Sequence, residues 1–107
     1  MNPVKKSFKE LCESIEEISY RFFVAKKMSV LIDKGEALAE NNIACETYLN
    51  KVEKAYSSLE PIEQNLINNE FFFQSYHDWW IGLYSKANYY RVKKKAMISF
   101  LEAFYHA

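Results

Sequence analysis

Only two glycines and two prolines occur among the 107 residues, and this scarcity limits the folds open to the chain. The tight turns of β-sandwiches and barrels depend on Gly and Pro, which adopt backbone conformations that other residues avoid. A chain with few such breakers favours helices joined by short connections. Half of the residues are hydrophobic and 17% are aromatic, which is enough for one sizeable core. We therefore expect an all-α fold that needs no disulfide, metal or other cofactor.

The N-terminal segment, residues 1–60, carries an apolar seam at the coiled-coil spacing, in which positions alternate by four and three. The seam residues are Val4, Phe8, Leu11, Ile15, Ile18, Phe22 and Ala25. They predict a first helix of about 30 residues that begins near Pro3 and ends before Gly35. A second helix is predicted from Ile43, Cys45, Tyr48, Leu49, Val52, Ala55, Tyr56 and Leu59. We expect a long helix or helical hairpin, and its seam is the predicted contact for a homodimer.

The C-terminal segment, residues 61–107, is predicted to form a three-helix unit on which this hairpin packs. Pro61 suits the first turn of a third helix, which contains Ile62, Leu66 and Ile67. Ser75 is a predicted N-cap, with Asp78 as its acidic partner, for a short fourth helix that holds Tyr76, Trp79, Trp80 and Leu83. Ser85 is a second predicted N-cap. The last helix follows it, with an inner stripe of Tyr89, Val92, Ala96, Phe100 and Ala103, beside Met97, Leu101 and Phe104.

The last helix opens with a basic run, Lys86-Ala87-Asn88-Tyr89-Tyr90-Arg91-Val92-Lys93-Lys94-Lys95, which has five cations and no acid in ten residues. The residues predicted to face solvent there are Lys86, Asn88, Tyr90, Arg91, Lys93, Lys94 and Lys95. A short helix, a turn and a helix with a basic start is the arrangement that docks in the major groove of DNA. Asn and Arg make bidentate contacts to adenine and guanine, whereas Lys mainly contacts phosphates. The run therefore predicts a site for double-stranded DNA, although the whole chain has 14 basic and 14 acidic residues.

The same region resembles a known family. The matching elements are Leu59-Glu60-Pro61-Ile62-Glu63, Tyr76-His77-Asp78-Trp79-Trp80, Tyr84-Ser85-Lys86-Ala87-Asn88-Tyr89-Tyr90-Arg91 and Lys93-Lys94-Lys95-Ala96. With them, residues 59–104 resemble the helix-turn-helix of the promoter-reading C-terminal region of bacterial sigma factors and of related phage-type regulators of Gram-positive bacteria. The resemblance implies a DNA-binding transcriptional regulator, in which Ser85 caps the recognition helix. Asp78-Trp79-Trp80 stands where the family usually has Glu-Ile-Ala, and a large ring there changes the angle between the two helices of the motif.

A helical protein–protein interaction module that does not bind DNA is the alternative function. Phe71, Phe72 and Phe73 are consecutive and cannot all point inward from one helix, so we expect at least one exposed ring. This triplet is the predicted contact for a protein partner. Trp79 and Trp80 are predicted mainly to fill the core.

Nothing in the sequence indicates an enzyme. His77 and His106 have no Cys or carboxylate at the spacing of a metal site or an acid–base pair, and there is no glycine-rich phosphate loop. Cys12 and Cys45 lie in helical patterns and are predicted to be small apolar residues, not disulfide partners. No apolar run approaches the roughly 18 residues of a membrane helix and no signal-peptide core follows Met1. A cytoplasmic protein without membrane contact is therefore expected.

Overall fold

The structure, a computed structural model, describes residues 6–33, 39–73, 75 and 77–106. Helix α1 spans Phe8–Asp33, α2 spans Ala39–Ser57, α3 spans Pro61–Ile67 and α4 spans Lys86–Tyr105. A π-helical segment, Asn68–Phe72, continues α3 directly. The all-α prediction is confirmed. Four residues that were used to predict helices lie outside the described residues: Pro3, Val4, Gly35 and Tyr76.

One hydrophobic core joins all four helices. Helix α4 contacts α1, α2 and α3, so the N-terminal and C-terminal segments meet in a shared interior. The ring of Phe100 is the largest of the fully buried side chains and contacts Phe72 and Phe104, at centroid distances of 6.1 and 6.3 Å. The core consists of Leu11, Ile15, Ile18, Val52, Ala55, Leu59, Leu66, Ile67, Phe71, Tyr89, Ala96, Met97, Phe100, Leu101 and Phe104.

The predicted seam of α1 lies in this core. Leu11, Ile15 and Ile18 are buried in it, and Phe8 and Phe22 are partly buried against it. Because the chain's own helices cover Leu11, Ile15 and Ile18, only the partly buried Phe8 and Phe22 of the described seam residues remain accessible to a second copy. The same spacing argument is wrong for Ile43 near the start of α2, whose side chain is 69% exposed.

The beginning of α3 follows the predicted pattern. Pro61 occupies the first helical position, where its missing N–H costs no hydrogen bond. The backbone N–H of Glu60 donates to the Glu63 carboxylate at 3.1 Å, and the Ser99 hydroxyl of α4 donates to the other Glu63 oxygen at 3.4 Å. The carboxylate of Glu63 therefore both caps α3 and ties it to α4, which explains why this acidic residue is buried.

The predicted short fourth helix is wrong. Residues 77–80 form turns, so the first helix of the expected helix-turn-helix is not present in the described residues. The predicted cap, Ser75, bonds backwards instead: its N–H donates to the Asn69 carbonyl at 2.8 Å and its hydroxyl to the Asn69 side-chain oxygen. The side chain of Ser75 is thus directed back to the π-helix, and residues 77–80 that follow it form turns. The backbone then changes direction at Gly82, whose φ of 91° is in the left-handed region.

Candidate nucleic-acid interface on helix α4

Helix α4 holds the predicted basic residues in a fixed position. Ser85 caps it as predicted, since its hydroxyl accepts a hydrogen bond from the backbone N–H of Asn88 at 3.2 Å. The inner side of α4 is buried in the core, which fixes the direction of the outer side. We define the basic surface as the predicted site residues of α4 that are exposed and carry a positive charge or an amide. They are Lys86, Asn88, Arg91, Lys94 and Lys95.

The charge of the basic surface is not compensated by acids. Along the chain, the flanking acidic residues are Asp78 and Glu102. Among the described residues, none of the four cations of this surface forms an ion pair. The guanidinium of Arg91 donates to the side-chain oxygen of Asn88 at 3.0 Å, so these two side chains lie together. The surface therefore offers an anionic partner four positive charges outside any ion pair that the structure describes: three lysines and Arg91, whose side chain lies beside Asn88.

Lys93 is not on this surface, and the prediction that it faces solvent is wrong. Its side chain is only 13% exposed, and its ammonium lies 3.4 Å from the Glu70 carboxylate. The reason is helical geometry: Lys93 is four residues after Tyr89 and seven before Phe100, on the buried side of α4. The sequence contains this spacing, which could have identified Lys93 as an inward-facing residue.

The carboxylate of Glu70 is the centre of a polar cluster that sequence reasoning missed. It accepts hydrogen bonds from the Trp79 indole N–H at 3.1 Å, from the Tyr89 hydroxyl and from Lys93. The ring of Trp80 stacks on Tyr89, with centroids 4.3 Å apart. These contacts tie the turn before α4 to the π-helix, and they fix the start of the basic surface. Trp79 and Trp80 are half-buried against the core.

The surroundings of Tyr89 change its acidity. Burial raises the pKa of its phenol well above the ordinary value, and the hydrogen bond donated to the Glu70 carboxylate raises it further. Both causes favour the neutral phenol, because ionisation would place a second negative charge beside Glu70. Tyr89 is therefore a hydrogen-bond donor within the fold and not a candidate base.

Apolar side chains border the basic surface near the start of α4. Tyr90 is 45% exposed, and its ring makes an edge contact with Phe8 at 5.7 Å, so only part of this predicted site residue is accessible. Ile81 and Leu83, in the turn before α4, are 62% and 68% exposed. The part of the border formed by Tyr90, Ile81 and Leu83 is thus apolar and uncharged.

The phenylalanine triplet lies away from the basic surface. Phe71 is buried, Phe72 is half-buried and Phe73 is 76% exposed, so the prediction that at least one ring is exposed is confirmed. Phe72 and Phe73 line a groove between α1, α2 and the π-helix.

The described residues contain no group of three or more His, Cys, Asp or Glu side chains arranged to hold a metal ion. Cys12 and Cys45 are both free thiols; Cys45 is buried, and the Cys12 sulfur lies 3.7 Å from that of Met97. Within the same residues, every helix is too short or too polar to cross a membrane.

The chain matches no protein-family model, no curated protein and no solved structure.

Proposed function

We propose that the protein is a DNA-binding transcriptional regulator that docks the basic surface of α4 in the major groove. The observation that carries this proposal is the exposed, acid-free set of cations around the Asn88–Arg91 pair. Within the resemblance to sigma-type helix-turn-helix motifs, only the recognition-helix part from Ser85 to Lys95 supports the same function, because the first helix of the motif is not present in the described residues.

The dimensions of the basic surface suit the groove. Residues 86–95 extend over about 14 Å of helix, and the major groove of B-DNA is about 12 Å wide and admits one helix. Asn88 and Arg91 are the residues able to make bidentate contacts to base edges, whereas Lys86, Lys94 and Lys95 are suited to phosphates. In this proposal Arg91 and Asn88 contribute sequence preference, and the lysines contribute affinity that salt weakens.

The turn at residues 77–84 takes the position of the first helix of a helix-turn-helix. It is held by the Glu70 cluster through Trp79, and it leads directly into the Ser85 cap. Docking in this proposal therefore depends on α4 with its preceding turn, and Glu70 acts as a positioning residue that keeps the basic surface in one orientation.

Fluorescence anisotropy with a labelled duplex of mixed sequence, titrated at several salt concentrations, tests the proposal. Three lysines near phosphates predict a plot of log affinity against log salt with a slope of about −3. Absence of binding at low salt would eliminate DNA binding as the function.

A protein-interaction module is the second candidate, and a specific observation favours it. Phe73 exposes three quarters of its ring beside an apolar groove, and exposed rings in such a setting are typical of protein contacts. Under this candidate function, the chain would not bind the duplex even at low salt, and substitutions of the basic surface would have no functional effect.

A further inference from the structure

An open groove of about 500 Å³ lies between α1, α2 and the end of the π-helix. Half of its lining residues are aromatic: Phe22 contacts Phe72 edge-on at 5.4 Å, and Val52 and Tyr56 of α2 lie opposite. Phe73, at the end of the π-helix, forms part of the rim. The groove is separate from the basic surface, which contributes no residue to its lining.

The groove leaves apolar area in contact with water. Phe23 is 42% exposed and Phe73 is 76% exposed, although both border the same depression. Covering apolar surface stabilises a complex by roughly 25 cal/mol per Å² of area removed from water. A partner that inserts an apolar side chain here would gain from this burial.

The two walls of the groove carry opposite charges. Lys26 lies on the α1 wall and Glu53 on the α2 wall, and both side chains are exposed. Neither forms an ion pair with another described residue; the Lys26 ammonium instead lies 4.9 Å above the Phe22 ring. A well-matched partner must therefore present an anion to Lys26, a cation to Glu53 and an apolar group to the space between them.

A second copy of this chain meets all three requirements at once. In a two-fold interface, each residue of one copy that contacts a residue of the other is contacted in the same way in return. Lys26 of each copy then pairs with Glu53 of the other, and the exposed ring of Phe73 enters the opposite groove. We propose that this groove is the interface of a symmetric homodimer, independently of whether α4 binds DNA.

Charge reversal gives a sharp test. Sedimentation equilibrium over a wide concentration range should show the parent chain self-associating. Lys26→Glu alone and Glu53→Lys alone should each raise the dissociation constant of the dimer about tenfold or more, because each places like charges opposite one another twice. An equimolar mixture of the two variants should restore dimers, since both contacts across the axis of a mixed dimer again join one acidic and one basic side chain.

Matched controls separate this pairing from a general effect of charge. Lys27→Glu and Glu46→Lys reverse exposed charges on the same two helices outside the groove, and they should leave the dissociation constant unchanged. Phe73→Ser should weaken the dimer and, at concentrations where both chains are monomeric, retain the parent's thermal unfolding temperature, because the ring is exposed in the monomer. A parent chain that stays monomeric up to millimolar concentration would overturn the proposal. Dimers insensitive to all three groove substitutions, or a mixture that does not recover, would also overturn it.

Discussion

The carboxylate of Glu70 and the ammonium of Lys93 form an ion pair of 3.4 Å that joins the π-helix to α4, with side chains only 16% and 13% exposed. The ammonium also lies within 6 Å of three aromatic rings, those of Phe8, Phe71 and Tyr89. Such rings attract a cation through their negative faces. Lys93 is therefore a structural residue whose charge is balanced inside the molecule.

We expect Glu70→Ala to lower the free energy of unfolding by about 3 kcal/mol, since it leaves the largely buried Lys93 charge without its partner. Chemical denaturation followed by circular dichroism measures this loss. Combining Glu70→Gln with Lys93→Met should recover part of it, because no unpaired charge remains. The control is Glu13→Ala in the exposed pair with Lys9, which should cost less than about 1 kcal/mol. Equal losses at Glu70 and Glu13 would contradict the structural role of the buried pair.

Tyr89 should make the fold sensitive to alkaline pH. Its pKa in the folded state is raised by burial and by the Glu70 carboxylate, whereas an unfolded tyrosine titrates near a pKa of about 10. Below that pH both states hold the proton and the contribution of the phenol is complete. As the pH rises above it, only the unfolded state loses the proton, so stability falls.

Denaturation curves measured across this pH window test the effect. Tyr89→Phe should make the alkaline decline shallower than in the parent. Tyr20→Phe is the control, because that residue is 70% exposed. The alkaline decline in the stability of this variant should follow the parent curve. If the Tyr89→Phe profile has the parent's slope, Tyr89 is not the group responsible.

The helices and most of the core were predictable because apolar residues at helical spacing lie on one side of a helix, and that side is the one buried in the core. Leu11 and Ile15 in α1 and Phe100 in α4 are fully buried, as their spacing predicted. Lys93 shows where this method fails. A lysine is assigned to solvent unless its acidic partner is known. Because Glu70 lies 23 residues away in the chain, the sequence does not identify it as the partner of Lys93.

The turn before α4 shows a second limit of sequence reasoning. A serine with an acid three residues later predicts a helix start, but Ser75 bonds backwards to Asn69. Local sequence does not determine which bond a serine side chain makes, since its hydroxyl can donate its proton, as in Ser75, or accept a backbone N–H, as in Ser85. The predicted N-cap at Ser85, which has no acid three residues later, is confirmed, and the N–H of Asn88 is its partner.

Gly82 should be sensitive to the addition of a side chain even though the space around it is open. Its φ is 91°, and a Cβ at this position would meet no atom within 4 Å. The cost of Gly82→Ala is therefore conformational, about 1–2 kcal/mol in the free energy of unfolding. Gly82→Asn should cost less, because Asn tolerates left-handed backbone better than Ala does. A similar loss for both variants would indicate that contacts, not backbone conformation, determine this position.

The basic surface of α4 should lose DNA affinity without losing stability when its central cations are removed. Arg91→Ala with Lys94→Ala removes two exposed charges, and exposed substitutions usually change stability by less than about 0.5 kcal/mol. The slope of log affinity against log salt should become less negative by about 1, since Lys94 is the one phosphate contact removed and about 0.9 is expected for each such contact.

The matched control is Lys27→Ala with Lys54→Ala, which removes two exposed cations from α1 and α2. Because net charge falls equally in the two double variants, a general electrostatic attraction would weaken both to the same extent. Only docking through α4 weakens the first variant selectively. Equal affinities in the anisotropy titration would therefore place the contact elsewhere, or show that binding depends on net charge alone.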